Sequence, residues 1–201
     1  MAEIFVVLSL GSLSVLLYSP QIFRILKTRI TSGVSELSLL VGLSNYVGWT
    51  YLLFASDSTG AALANLVGLG VWLTLVVVFL KYHKNLREAS WLWWLVWTTV
   101  LTAAAFVGGV PLLGLILNFG ALVSFVPAVK TAWTDTTIEG LSATSWVLSF
   151  LNGLTWIVSG VMYGTVQSTV NGSITLVASG LVLGAIVVRG SRRTFAASST
   201  H

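Results

Sequence analysis

The chain reads as an all-α membrane protein: seven transmembrane helices, arranged as two parallel three-helix bundles joined by an inverting linker helix, a 3+1+3 plan. Three observations predict it. Of 201 residues, 56% are hydrophobic and only 8% charged, whereas a soluble globular domain carries roughly 25% charged residues. So few charges cannot cover a soluble surface of this size, and lipid has to be the solvent for much of the chain. Apolar stretches of about 20 residues, the length that crosses a bilayer as a helix, recur seven times. The stretch around Pro20 also returns in weaker form around Pro127, 107 residues later.

In chain order the spans run over about Glu3–Leu26, Ser35–Ala55, Thr59–Tyr82, Trp91–Val107, Val110–Trp133, Leu141–Gly164 and Val166–Val188. A backbone in hydrocarbon must pair its polar groups internally, so each span is expected to be helical. Glycines inside the spans permit close helix approach. A polar linker, Lys81 to Glu88, separates the third span from the fourth. The run Trp91-Leu92-Trp93-Trp94-Leu95-Val96-Trp97 opens the fourth and reads as an interfacial aromatic belt rather than a stacking platform. No cleavable signal peptide is expected, because the first apolar stretch, Ile4 to Ile25, is too long and its basic residues follow it.

Charge placement supports the same plan. All ten Lys and Arg fall on alternate loops: Arg24, Lys27 and Arg29 after span one; Lys81, Lys84 and Arg87 after span three; Lys130 ending span five; Arg189, Arg192 and Arg193 after span seven. The opposite loops hold Asp57 or no charge. Under the positive-inside rule this is a multi-pass protein of the cell membrane with its amino terminus outside and its carboxyl terminus in the cytoplasm. The cations are then topology determinants, and the net charge of +4 does not indicate a nucleic-acid partner.

Composition also excludes chemistries. Cysteine is absent, and the two histidines, His83 and His201, fall in the linker and at the end. Disulfides, thiolate or histidine metal sites and a cysteine nucleophile have nothing to be built from. No nucleophile–base pair or metal constellation is present, so neither an enzyme nor a cofactor is expected. Span seven lacks the lysine that a retinal Schiff base would need.

The repeat extends beyond the prolines. Gly33-Val34-Ser35 matches Gly140-Leu141-Ser142, Asn45 matches Asn152 and Trp49 matches Trp156, all 107 residues apart. Asn-x-x-x-Trp puts amide and indole on one helix face. Asn65 pairs with Asn171 at an offset of 106, which implies one residue lost in the preceding loop. Spans one to three therefore repeat as spans five to seven. Three is odd, so span four is needed to keep the copies parallel. The domain boundaries are 1–82 for the first bundle, 83–108 for the linker and linker helix, 109–190 for the second bundle and 191–201 for a cytoplasmic tail.

With Pro20-Gln21, Pro127, the Gly-x-Ser pairs and the paired Asn and Trp, the chain resembles the SWEET (MtN3/saliva) family of the PQ-loop superfamily over nearly its whole length. The resemblance implies alternating-access transport of a small neutral sugar, a mono- or disaccharide, by facilitated diffusion without ion coupling. It implies that Asn65 and Asn171 bond sugar hydroxyls while Trp49 and Trp156 stack on the ring. Two positions depart from the pattern. Ser38 and Ser145 stand where plant and animal members carry a second proline pair, and Ala128 stands where the second glutamine would be.

The residues carry their own argument. An intramembrane asparagine is unfavourable unless partnered, and an amide offers a sugar hydroxyl donors and an acceptor without charge. Asn65 and Asn171, with Asn45 and Asn152, are therefore candidate substrate ligands; Asn118, whose place in span one is taken by Gly11, reads as packing or pore lining. Trp49 and Trp156 read as pocket walls, with the aromatic belt as the alternative. Pro20 and Pro127, with Gln21 beside the first, free the carbonyls of Leu16 and Val123 and read as hinges of an inner gate. Leu16 and Val123, one turn before them, are expected to face the pathway and limit substrate size. No Asp, Glu, Lys, Arg or His lies deep in a span, which disfavours proton coupling. The alternatives in function are a PQ-loop transporter of another metabolite, such as an amino acid or vitamin-like nucleoside, and a non-transporting receptor on the same bundle. Two bundles per chain make a complete pathway in a monomer, and homo-oligomers are compatible with that.

Overall fold

The computed structural model describes residues 2–31, 34–83, 87–134 and 142–198, and within them every regular element is an α-helix. The elements are α1 (Ala2–Thr28), α2 (Glu36–Ala55), α3 (Thr59–Tyr82), α4 (Glu88–Thr134), α5 (Ala143–Tyr163) and α6 (Val166–Ser198). All six are long and apolar enough to cross a membrane, and the chain is a multi-pass membrane protein. Residues 191–198, expected as a tail, continue α6.

The fourth and fifth predicted spans lie within α4, which is interrupted once. Gly109 has φ 59° and ψ −153°, a conformation essentially reserved for glycine. Pro111 follows two residues on; its ring cannot donate to the carbonyl of Val107 and would clash with it. Gly-Gly-Val-Pro thus divides α4 into arms 88–108 and 110–134.

The ends of α2 and α5 are built alike. Ser35 caps α2 by accepting from Ser38 N (3.2 Å) and Ser142 caps α5 by accepting from Ser145 N (3.3 Å), a normal N-cap arrangement. A proline at 38 or 145 would have no N–H to give, so serine at these two places preserves both caps. Gly33 and Gly140, the other half of that motif, lie outside the described residues. At the far ends, Asp57 (φ 53°) and Gly164 (φ 66°) both take left-handed backbone, and the next residues return amides to equivalent carbonyls: Ser58 N to Leu53 O at 2.9 Å, Thr165 N to Gly160 O at 2.8 Å. Then α3 begins at Thr59 and α6 at Val166. The offset stays at 107 through this loop. No residue is lost there, and Asn65 and Asn171 are one position out of register instead of equivalent.

In the first half α3 packs between α1 and α2, and in the second α6 packs between α4 and α5; contacts of α2 with α4 and of α1 with α5 join the halves. The second half is drawn together by glycine. A Cβ at Gly172 would lie 2.6 Å from Gly153 O and 2.7 Å from Ile157 N, so the α5 and α6 backbones touch. The corresponding pair in the first half, Tyr46 and Asn65, is held by a side-chain hydrogen bond instead.

Apolar cores show how the halves meet. One cluster, around Val6, Leu10, Trp49, Leu52, Leu53, Leu101, Leu113, Leu117 and Trp156, spans both halves. Toward the basic ends of α1 and α3 the cores separate: Ile22, Ile25, Leu39, Leu75 and Phe79 pack within the first half, and Ala132, Val182 and Ala185 within the second. The two halves are therefore joined at one end and parted at the other.

Candidate functional site

Between the halves lies a cavity of about 610 Å³, within the usual range for small-molecule sites. Its wall holds all six predicted Asn and Trp positions: Asn45, Asn65, Asn152, Asn171, Trp49 and Trp156. Most lining residues come in pairs 107 apart: Ser14 and Ala121, Leu17 and Ser124, Tyr18 and Phe125, Ser38 and Ser145, Gly42 and Ser149, beside Asn45 and Asn152, and Trp49 and Trp156. Among the described residues, the wall carries no carboxylate, ammonium, guanidinium or imidazole group.

Trp49 and Trp156 form the closed end. Their ring centroids are 6.1 Å apart with planes tilted by 39°, and both rings also belong to the core that joins the halves. Beyond them Ser58 Oγ and Thr165 Oγ1 share a buried 2.6 Å hydrogen bond. Asn118 Nδ2 donates to Gln167 O at 3.2 Å and is packing between α4 and α6, outside the cavity wall. From the indole pair the cavity runs toward Leu17, Leu37, Ser38, Ser145 and Trp146, the end where the cores separate.

The four amides are not alike. Asn45 Oδ1 accepts from Trp97 Nε1 at 2.7 Å. Asn65 is 4% exposed and donates from Nδ2 to Tyr46 O at 2.9 Å and to Thr50 Oγ1 at 2.8 Å. For Asn152 and Asn171 no side-chain hydrogen bond to another described residue exists, and both are half-buried against the cavity. The one-residue difference in register accounts for Asn65 and Asn171: the α2–α3 contact that holds Asn65 is occupied in the second half by Gly153 against Gly172.

Two predicted gate residues are placed elsewhere. Leu16 and Val123 are 53% and 52% exposed on the outside of their helices and absent from the cavity wall; Leu17 and Ser124, the next residues, are in it. Counting one turn back from the proline finds the carbonyl that the proline frees, and one residue of helix rotates a side chain by about 100°. Pro20 lies inside α1 with its ring exposed, and Gln21 beside it is half-buried. Pro127 lies in the 110–134 arm. Pro20 is behind the wall, two residues past Tyr18, which is in it.

The wall also holds an aromatic cluster, of which Tyr46 and Trp72 carry no repeat signal. Tyr18, Tyr46 and Trp72 form an aromatic cluster with centroids 4.8 to 6.4 Å apart. Trp72 Nε1 donates to Leu39 O at 2.9 Å, and its ring fills the space left by Gly42, where a Cβ would come within 2.3 Å. In the second half the same two places hold Ser149 and Ser179, whose hydroxyls are hydrogen-bonded at 2.9 Å. Of the Trp-rich run, Trp93 is 60% exposed, but Trp94 and Trp97 turn to α2: Trp94 Nε1 donates to Ser44 Oγ at 2.8 Å, as Trp97 does to Asn45. A tryptophan run at a span edge signals a belt; only the 3.6-residue phase of its members against Ser44 and Asn45 distinguishes these two.

No family model and no curated protein matches the chain. Among solved structures, that of a eukaryotic SWEET transporter superposes on 94% of this chain and 97% of its own length, with a TM-score of 0.74 and 15% sequence identity. The chain has a SWEET-like fold. Within that fold, the amides and indoles occupy the space between the two halves, and the closed end is the one opposite the basic termini of α1 and α3.

The basic end of the SWEET-like fold is pinned by one carboxylate. Glu36, at the start of α2, accepts from Arg87 N (2.9 Å) and Ser90 Oγ (3.2 Å) and pairs with His83 Nε2 (2.8 Å). His83 stacks on Phe79, and its Nδ1 lies 3.1 Å from Thr31 Oγ1. The histidine of the linker is thus a structural group, tying the ends of α1 and α3 to the starts of α2 and α4.

Proposed function

We propose that the protein is a SWEET-like transporter that carries a small neutral sugar across the cell membrane by alternating access, without ion coupling. The observation that carries this reading is the composition of the cavity wall: four uncharged amides and two indoles, contributed by both halves of a repeated chain and lining one shared cavity. Amides match hydroxyls in hydrogen bonding without a charge to desolvate, and indole faces match the C–H face of a pyranose. The arms of α4 serve as spans four and five, which makes a 3+1+3 plan of seven spans, with the amino terminus outside and the basic ends in the cytoplasm. In that orientation the cavity is closed outward by Trp49, Trp156 and the shared core, and opens inward. Pro20 and Pro127, with Gln21, are the hinges that let Tyr18 and Phe125 approach when the inner end closes; Leu17 and Ser124 take the size-limiting role.

The aromatic wall favours one second reading. Trp49, Trp72, Trp146, Trp156, Tyr18, Tyr46 and Phe125 all line the cavity, and a flat heterocycle such as a vitamin-like nucleoside would stack there too. One experiment separates the readings: purified protein in liposomes, offered radiolabelled hexoses, disaccharides, amino acids and nucleosides, with and without a pH gradient. Hexose or disaccharide uptake that ignores the gradient supports the proposal. Uptake of nucleosides alone supports the second reading, and uptake that needs the gradient sinks uniport.

A further inference from the structure

The linker helix reaches the cavity through one hydrogen bond, and that bond fixes which atom of a wall residue the substrate meets. An indole N–H can only donate. The atom 2.7 Å from Trp97 Nε1 is therefore the Asn45 oxygen, and Asn45 turns its Nδ2 hydrogens away from Trp97. The reverse holds at Asn65. Tyr46 O can only accept, and Thr50 Oγ1 spends its own hydrogen on Tyr46 O at 2.8 Å, so it too accepts. Both Nδ2 hydrogens of Asn65 are used, and Oδ1 is what remains. Neither Asn45 Nδ2 nor Asn65 Oδ1 is among the buried polar atoms without a partner; both atoms are accessible, on residues of the cavity wall.

We infer that Trp97 is a positioning residue that holds the Asn45 amide so that the first half of the site presents one fixed donor, Asn45 Nδ2, and one fixed acceptor, Asn65 Oδ1, while Asn152 and Asn171 of the second half adapt to either role. The inference rests on the sugar-site reading of the cavity. It makes Trp97, which is outside the cavity wall, a determinant of specificity. A hydroxyl bound at Asn45 must accept and one bound at Asn65 must donate. Gly120 on the 110–134 arm completes the device: a Cβ there would fall 2.7 Å from Trp97 Cζ2, so glycine leaves room for the indole to reach α2. The second half has no linker helix on its α5, which is why Asn152 lacks such a partner.

Two measurements test this. The first needs no substrate: melting temperatures of Trp97→Phe, Asn45→Ala and the double variant in detergent. The expected result is non-additivity, the double variant melting close to the worse single one; additive shifts would overturn the coupling. The second is liposome uptake of glucose and of its deoxyfluoro analogues, in which C–F keeps a weak acceptor and loses the donor. The intact protein should tolerate fluorine at the carbon that faces Asn45 and lose about tenfold or more in uptake at the carbon that faces Asn65. Trp97→Phe should lower uptake of that analogue relative to glucose, because the freed Oδ1 can then accept from the hydroxyl of glucose and has nothing to accept from C–F. Gly120→Ala, which displaces the indole and alters no wall residue, should reproduce that change. An analogue pattern unmoved in both variants overturns the inference. If the intact protein moves no hexose while the melting temperatures remain coupled, the sugar reading fails and the positioning of Asn45 by Trp97 stands.

Discussion

Ser58 Oγ and Thr165 Oγ1 are 2.6 Å apart and buried, and the two residues are 107 positions apart in the chain. Each directly precedes the first residue of its helix, α3 or α6, so the bond joins two copies of one place across the approximate symmetry of the molecule. It lies beyond the Trp49–Trp156 pair, at the closed end. The proposed alternating cycle would have to break it, which yields a direct test. The chain has no cysteine, so a Ser58→Cys, Thr165→Cys double variant contains a single possible disulfide, at side chains already within bridging reach. Oxidation should abolish uptake and reductant should restore it. Each single variant should remain active under oxidant. Full activity of the cross-linked protein would show that this end does not open.

Glycine at the α5–α6 contact carries a stability prediction with an internal control. Alanine at Gly172 would push a methyl into Gly153 O and Ile157 N, both atoms of the α5 backbone, which cannot turn aside as a side chain can. Overpacking of this kind costs roughly 1–3 kcal/mol. Alanine at Gly70 or Gly184 meets nothing within 4 Å and should leave stability unchanged or raise it by up to about 1 kcal/mol, the helix-propensity difference. Thermal unfolding in detergent should separate the two classes, with Gly172→Ala melting several degrees lower. Equal melting temperatures would mean that the helices can slide apart without loss.

Glu36 gathers three elements that the sequence keeps apart, and the consequence is structural. Replacing it by Ala leaves Arg87 N, Ser90 Oγ and His83 without their shared acceptor, at a cost of about 1–3 kcal/mol. Glu36→Gln keeps a carbonyl for one of these donors and should lose less. Both variants should melt lower in that order, with the KM for substrate unchanged, since Glu36 lies outside the cavity wall. A raised KM at unaltered stability would place Glu36 on the transport path.

What could be read from the sequence follows from what lipid does to a helix. Span limits were legible because hydropathy falls at the membrane edge, and the break in α4 because Gly-Gly-Val-Pro cannot continue a helix. The Asn and Trp pairs were legible because a polar group or an indole stands out in an apolar span and appears twice. Rotation was not legible. In a soluble helix the polar face marks the outside; here the lipid face and the packed face are both apolar, so nothing in the pattern separates Leu16 from Leu17, and a serine such as Ser124 marks no face because its hydroxyl bonds back to its own helix, at Gly120 O. For the same reason Trp94 and Trp97 could not be told from Trp93. The register of Asn171 is not legible from the asparagines, which are alike without being equivalent; the loop residues that fix it, Asp57 with Gly164 and Ser58 with Thr165, differ in identity and agree in backbone conformation and hydrogen bonding.

That register makes the two deep asparagines separable by experiment. Asn65 supports the packing of α2 on α3 through Tyr46 O and Thr50 Oγ1, whereas Asn171 has only the cavity in front of it. Interhelical hydrogen bonds of this kind average about 0.6 kcal/mol in membranes and reach about 1.7 kcal/mol. Asn65→Ala should therefore lower both the melting temperature and uptake. Asn171→Ala should leave the melting temperature as it was and still reduce uptake, by roughly tenfold for each 1.4 kcal/mol of lost substrate binding. Asn171→Asp, isosteric but anionic, should reduce uptake of a neutral solute as well, because the charge must be desolvated against a wall that offers no counter-ion. Measuring stability and uptake on the same preparations decides the matter. If Asn171→Ala transports as the intact protein does, the second half does not hold substrate by this amide. If Asn65→Ala lowers uptake at unchanged stability, the α2–α3 hydrogen bonds are too weak to fix its amide, and the fixed-acceptor role at that position falls with them.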